Sequence, residues 1–466
     1  MTLAQTIIYG SVSDVEQAFT QDIDINEFDE YGYTPLIESA IANKTEVAEF
    51  LLKKGALVNL ADMTGRTALH WAADNNNFDF CALLLKNGAD ANAYTLASQP
   101  VLVHPLLRGQ KKLSDLFLDY GADIDFARDY INTKLLAHRY SLQGVVDIVN
   151  HKGVFIEVSY EGFFLEFTLN MLYHSLDRFI RHYSARHLRE FFPYFRAMVK
   201  SFGNASELIR FQQYSIDRER YLKRIELLLA NPLLLLPVAY TGHAISFVKH
   251  QNYWVHCDRG EYGRDHGCIN IYKPAHPQHI NFEFCYQLLY TKHDKHFITK
   301  ELDRILKVQK VIEIPIAPQI TGNCSWANIE ASIPSMLTLL LQSTQPNGRL
   351  IKKHINLSLH LFEEWLSWDQ EQALDDCIDS FKRASNARKA SKAALLGAIL
   401  MQQCHYERFR DVKRAQKILK VLMHPAYQYV LKSYMDAYCH PRMTPAGKNL
   451  HEILDECGID ARKLQD

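Results

Sequence analysis

One stretch of the chain has the residue types of a nucleophilic site: Gln319-Ile320-Thr321-Gly322-Asn323-Cys324-Ser325-Trp326. Before it, Val311-Ile312-Glu313-Ile314-Pro315-Ile316 is a short β-branched run that reads as a strand. After it, Trp326, Ile329, Ile333, Leu337, Leu340 and Leu341 recur at helical spacing. Gly322-Asn323 supplies the turn between them. Cys324 is therefore expected at a helix N-terminus, where free N–H groups and the helix dipole favour the thiolate. Pro334 predicts a kink or a restart a few turns later.

A thiol nucleophile needs a base. Gly242 to Val248 reads as one strand and Tyr253 to Cys257 as the next, with His250-Gln251 as the hairpin turn. In that register Lys249 faces Asn252, Phe247 faces Trp254, and His243 falls opposite Asp258. Facing residues have Cβ atoms roughly 5 Å apart. An aspartate at that distance fixes the histidine tautomer and stabilises the imidazolium. Asp265 is the fallback acid. Gly260 to Gly267 reads as a glycine-rich turn, with no helix start suited to holding phosphate and a strand, Cys268 to Tyr272, after it. His256, Cys257, His266 and Cys268 are metal-ligand types close in sequence. Adjacent His256 and Cys257 on a strand point to opposite faces, and no paired Cys-x2-Cys is present, so neither a metal nor another cofactor is expected.

Gly242 and His243, then Trp254 and Asp258, then Gln319 and Cys324 form an ordered pattern that resembles the clan CE cysteine peptidases. The resemblance runs from about Leu233 to Leu341. It implies a papain-like α+β fold, with His243 as general base, Asp258 as its orienter, Gln319 as oxyanion donor and Cys324 as nucleophile. Gln319 stands five residues before Cys324, one closer than the family spacing. The long interval between Asp258 and Cys324 implies an insertion. Relatives in this clan include ubiquitin-like-protein proteases and acetyltransferases, which share an acyl-enzyme.

The chain has 466 residues, enough for about three domains. A formal net charge of −1 argues against an electrostatically driven nucleic-acid or membrane binder. Nine cysteines without regular spacing suggest reduced thiols and an intracellular workplace. The N-terminal residues show no signal-peptide pattern. The most apolar short run, Leu233 to Ala239, contains Pro237 and is too short to span a bilayer.

Residues 1–156 are a repeat array. Asn26, Asn59, Asn92 and Asp125 recur every 33 residues, as do Gly55, Gly88 and Gly121; Thr34 and Thr67 keep the same interval, with Thr133 two periods on. Gly65 to Ala73 and Leu83 to Asp90 resemble the signature and exit of ankyrin repeats. A capping unit and about four repeats are expected, the third altered by Pro100 and His104-Pro105 and the fourth ending near Gly153. Such units bury their apolar faces only by stacking. Trp71, Tyr94, Met63 and Arg66 are candidate partner-binding residues on the ankyrin face; Trp71 reads equally well as packing against the next repeat. Asn59 and Asn92, with Leu51 and Leu84 eight residues upstream, resemble sites of ankyrin asparaginyl hydroxylation, though asparagine is also favoured there for turn bonding.

Residues 160–230 are helical and aromatic-rich, expected to pack on the core or to form a lid. Beyond Ser343 the pattern is all-helical, with Thr444 capping a helix that begins at Pro445 and Gly458 ending it. Lys382, Arg383, Arg388, Lys389, Lys392, Arg408, Arg410, Lys413, Arg414 and Lys417 form a basic cluster, read either as a nuclear-localisation or anion-binding surface or as a solvated helix face. The expected fold class is α+β: an ankyrin α-solenoid (1–156), a clan CE-like peptidase domain (157–345) and a helical C-terminal domain (346–466). This combination resembles ankyrin-repeat effectors that intracellular bacteria deliver into host cells. It implies a monomer that binds a host protein through the ankyrin concave face, works in the host cytoplasm or nucleus, and contacts neither membrane nor nucleic acid. The implied activity is cleavage or deconjugation of a protein, with acyl transfer or a non-catalytic scaffold as alternatives.

Overall fold

The computed structural model describes residues 3–19, 24–213, 218–240, 242–319, 322–344 and 352–464. Ile320 and Thr321, within the cysteine stretch, and the 345–346 boundary lie outside them. The chain divides into two compact units. One comprises 1–135, 144–160 and 377–466; the other comprises 136–143 and 161–376. The sequence suggests three consecutive segments, whereas here residues 377–466 group with the repeats.

In the first unit, helix pairs follow one another: Leu3–Tyr9 with Val12–Ala18, Pro35–Ile41 with Thr45–Lys53, Ala68–Asp74 with Phe78–Lys86, and Val103–Leu107 with Lys111–Asp119. The threonines start the repeat helices. Thr34 accepts a hydrogen bond from the Ile37 N–H (3.3 Å), and the Thr67 N–H donates to His70 Nδ1 (3.1 Å). Where a fourth repeat is expected, the chain forms one uninterrupted helix, Ile124–Arg139, followed by the hairpin β1 (Val145–Val149) and β2 (Phe155–Ser159). The reason lies in one turn position. Gly32, Gly65 and Ser98 occupy it in successive units with φ of 80°, 82° and 60°. The next residue in that series is β-branched Ile131, which resists left-handed backbone, so the helix continues through it.

Asn59 and Asn92 stitch adjacent units together. Asn59 Nδ2 donates to Gly88 O (3.0 Å) while its Oδ1 accepts from the Asp90 N–H (2.8 Å). Asn92 does the same with Gly121 O and the Asp123 N–H. We expect Asn59→Ala to destabilise this unit by about 1–3 kcal/mol, because it removes two hydrogen bonds. A urea titration followed by circular dichroism measures this.

The basic cluster is not one surface. Arg388 bridges Asp123 and Asp129 at 2.6 Å each, and the buried Lys392 also holds Asp129. Arg414 is nine-tenths buried against Asp411 (3.0 Å). Lys382, Arg383, Arg408, Arg410 and Lys413 are exposed and form the solvated part. The Thr444 cap is present, with its hydroxyl accepting from the Gly447 N–H (3.0 Å).

The second unit is built on a five-stranded antiparallel sheet in sequential order: β3 (Leu233–Tyr240), β4 (His243–His250), β5 (Tyr253–Cys257), β6 (Ile269–Pro274) and β7 (Val308–Ile314). Pro237 is tolerated because β3 is an edge strand. One face buries Leu234, Leu236, Phe247 and Trp254 against Ile225, Leu228 and Leu288 of flanking helices. The aromatic helices Leu165–Arg181 and Phe192–Arg210 contribute to this unit's packing. The insertion between Asp258 and the cysteine stretch supplies β6, the helices Phe282–Tyr290 and Leu302–Leu306, and β7.

The hairpin between β4 and β5 corrects the sequence reading. Its loop is Gln251-Asn252, with Gln251 at φ 51°, and His250 pairs with Tyr253. His250 stays in the ladder because it is buried and its Nδ1 bonds Pro232 O (3.1 Å). Phe247 therefore faces His256 and only stacks on Trp254 from the diagonal (4.8 Å between centroids). The displacement is two residues, so every side chain keeps its face.

Candidate active site

The segment before the cysteine is held beside the aspartate turn: the Gln319 N–H donates to Arg259 O (2.8 Å). Gly322 makes the turn at φ 82°. The helix Cys324–Glu330 then begins, and a second helix, Ser332–Ser343, restarts with Pro334 in its first turn. A proline there sacrifices no intrahelical bond.

Three side chains meet. His243 Nε2 lies 3.0 Å from Asp258 Oδ1, and Cys324 stands close enough to His243 for each to favour the charged form of the other. The two-residue register correction leaves Asp258 beyond the paired ladder, yet on the correct face to reach the imidazole. The same Oδ1 accepts from the Gly260 N–H (2.7 Å), which fixes the carboxylate. Asp265 sits exposed on a short helix, Glu261–His266, where the sequence suggests only a turn.

The electrostatics are those of a coupled pair. Burial pushes the Cys324 thiol up, but hydrogen bonds from His243 and from the Ala244 backbone bring it below its ordinary value. Burial opposes the imidazolium, yet the Asp258 and Cys324 hydrogen bonds raise His243 to about 9. Burial likewise works against the Asp258 carboxylate, and the His243 and Gly260 bonds hold it below the usual carboxylate range. Each member thus favours the charged state of the next.

Residues that sequence reasoning missed hold this arrangement. Asn328, one turn after Cys324 and fully buried, donates from Nδ2 to Ala244 O and accepts at Oδ1 from the Arg259 N–H (2.6 Å). It clamps the cysteine helix to both the histidine strand and the aspartate turn. Ser246 Oγ adds a bond to Asn328 O (2.8 Å). His138 lies 2.6 Å from Asn323 Oδ1 and stacks on Trp326. The available signal was a polar stripe at helical spacing, Ser325, Asn328, Ser332 and Ser335, beside the apolar one.

Gly260 is required by contact. A Cβ there would stand 2.6 Å from His243 Cε1 and 3.0 Å from Asp258 Oδ1. Gly260→Ala should therefore lower Cys324 reactivity at pH 6 by about 10–100-fold, since ångström displacements cost that much. The thiol alkylation rate measures this, and an unchanged melting temperature shows that the fold is kept.

Gln319 Oε1 is buried with no hydrogen-bond partner among the described residues. Trp254 is a core residue. The metal-ligand types go separate ways: His256 is buried between Phe247 and Tyr262, Cys257 meets Ser335 Oγ, and Cys268 turns to Gly263 O. Among the described residues no cluster of three potential ligands exists. Also among them, no helix is long and apolar enough to cross a membrane.

On the repeats, Met63 is 76% exposed and Tyr94 40%, with Tyr94 edge-on to Phe126. Trp71 is partly buried; its Nε1 donates to Asp62 (3.1 Å), and the Arg66 guanidinium lies 3.8 Å from a Trp71 ring centroid. Arg66 also pairs with Asp74.

Residues 3–95 match the family model for ankyrin repeats in three copies, so the N-terminal part is an ankyrin array. Zebrafish inversin is 37% identical over 83 residues, covering 18% of this chain and 8% of inversin. A fowlpox virus ankyrin repeat protein is 34% identical over 128 residues, covering 27% of this chain and 29% of its own. The chain spans less than a third of the length of these curated relatives. A solved structure matches far more: that of the Legionella effector AnkH is 43% identical, with a TM-score of 0.87, and the match covers 99% of this chain and 98% of that one. The chain belongs to the family of that ankyrin-repeat effector.

Proposed function

We propose that this chain is a host-directed effector whose ankyrin repeats bind a host protein and whose second unit is a clan CE-like cysteine hydrolase. The supporting observation is the His243–Asp258 hydrogen bond (3.0 Å) with Cys324 beside His243 at a helix N-terminus. In this reading the Cys324 thiolate attacks a substrate carbonyl and His243 gives its proton to the leaving amine. Water, deprotonated by His243, then cleaves the thioester. Asp258 orients the imidazole, and Gln319 with the Ser325 N–H stabilises the oxyanion. Acyl transfer to a lysine or serine uses the same thioester and differs only in the acceptor. The working place is the host cytoplasm or nucleus, and the protein acts as a monomer without a cofactor.

The test is incubation with p-nitrophenyl acetate, followed by denaturation and peptide mass spectrometry. Acetyl on Cys324, absent in His243→Ala, supports the reading; no acyl-enzyme overturns it. A scaffold reading draws on the exposed Met63 and Tyr94. It is favoured if Cys324→Ala keeps the host effect while Met63→Ala with Tyr94→Ala loses it.

A further inference from the structure

A groove of about 690 Å³ opens at the start of the repeats, beside the helices Leu3–Tyr9 and Pro35–Ile41. Its lining contains the carboxylates Asp24, Glu27, Asp29, Glu30 and Glu38, and, among the described residues, no lysine, arginine or histidine. Tyr9, Phe28 and Tyr31 also line it, and they are 71%, 47% and 67% exposed.

Glu38 is the unusual member, only 6% exposed on a helix that forms part of the repeat core. Its acidic neighbour is Asp29, whose Oδ2 is buried with no hydrogen-bond partner among the described residues. Two ionised carboxylates cannot donate to each other, so a cationic donor set between them would satisfy both. Burial and then Asp29 push Glu38 up to about 8. In the next repeat the equivalent of Asp29, Asp62, receives the Trp71 Nε1 N–H (3.1 Å), and Trp71 stands one period after Glu38 in sequence. The first repeat has a carboxylate where that donor would stand.

We infer that the groove binds an arginine side chain from a partner protein, its guanidinium seated on Asp29 and Glu38 and its stem against the aromatic rim. A guanidinium supplies paired donors for two carboxylates and stacks on tyrosine, which an ammonium does less well. The inference rests on the repeats being the partner-binding part and is independent of Cys324.

The test uses short peptide pools of alanine, leucine and serine around a fixed central arginine, lysine, citrulline or glutamate. Binding to the full chain is read by fluorescence anisotropy. The arginine pool is expected to bind at least about tenfold tighter than the citrulline and glutamate pools. That preference should vanish in Glu38→Gln and in Tyr31→Ala; the latter alters an exposed ring and keeps the test valid if Glu38→Gln fails to fold. Equal binding of arginine and citrulline pools overturns the inference, as does a preference that survives both substitutions. A preference lost in Trp71→Ala but kept in Glu38→Gln overturns the groove and leaves the repeats as the binding part. No binding by any pool also overturns it.

Discussion

His243→Ala should slow acyl transfer through Cys324 by about 10²–10⁴-fold, the usual contribution of a positioned general base. Two effects combine. The substitution removes the proton acceptor, and it removes the hydrogen bond that does most to bring the Cys324 thiol below its ordinary value. Burial, which works against the thiolate, remains. The rate of thioester formation with p-nitrophenyl acetate reports the first effect. Asp258→Asn should give a smaller loss, because it leaves the imidazole in place and an oxygen able to accept from it, but withdraws the carboxylate charge that favours the imidazolium. Equal rates in wild type and His243→Ala would mean that the imidazole takes no part.

Asp129→Ala should destabilise the repeat-bearing unit by about 3–5 kcal/mol. Asp129 is buried and accepts from both Arg388 (2.6 Å) and Lys392 (2.5 Å). Its removal leaves two cations nearly buried, with Arg388 still bridged to Asp123 and Lys392 without its carboxylate. The cost is that of the uncompensated charges rather than the net worth of the pairs. Replacing Asp129 and Lys392 together with apolar residues of similar size should recover most of the loss. Denaturant unfolding of the single and double variants measures both. A loss below about 1 kcal/mol for Asp129→Ala would place the cluster among ordinary surface pairs.

The repeats were legible because their 33-residue period fixes threonines, glycines and asparagines whose roles are local. The same period misled at its end: Asp125 and Thr133 keep the spacing, but Ile131 stands where the turn needs a left-handed residue, so a helix forms. The candidate site was legible through residue type and strand parity. His243 and Asp258 meet although the hairpin register was two residues off, because such a shift preserves the face. What stayed hidden was long-range. Asn328 clamps a strand and a turn that sequence places more than 65 positions away. Likewise, Arg388 and Lys392 looked like surface charge until the fold brought Asp129 to them.

The central claim is that Cys324 is held as a thiolate by His243. The most direct measurement is the rate of Cys324 alkylation by iodoacetamide between pH 5 and pH 9, read by mass spectrometry in wild type and His243→Ala. Because the thiol is depressed and His243 is raised to about 9, the ion pair spans the window between them, and wild-type reactivity should persist well below pH 8. Loss of His243 removes a stabiliser of the anion, so the profile should move to higher pH and the rate at pH 6 should fall at least about tenfold, one pKa unit's worth. Superimposable profiles, or a wild-type Cys324 that reacts only above pH 8.5, would contradict the account.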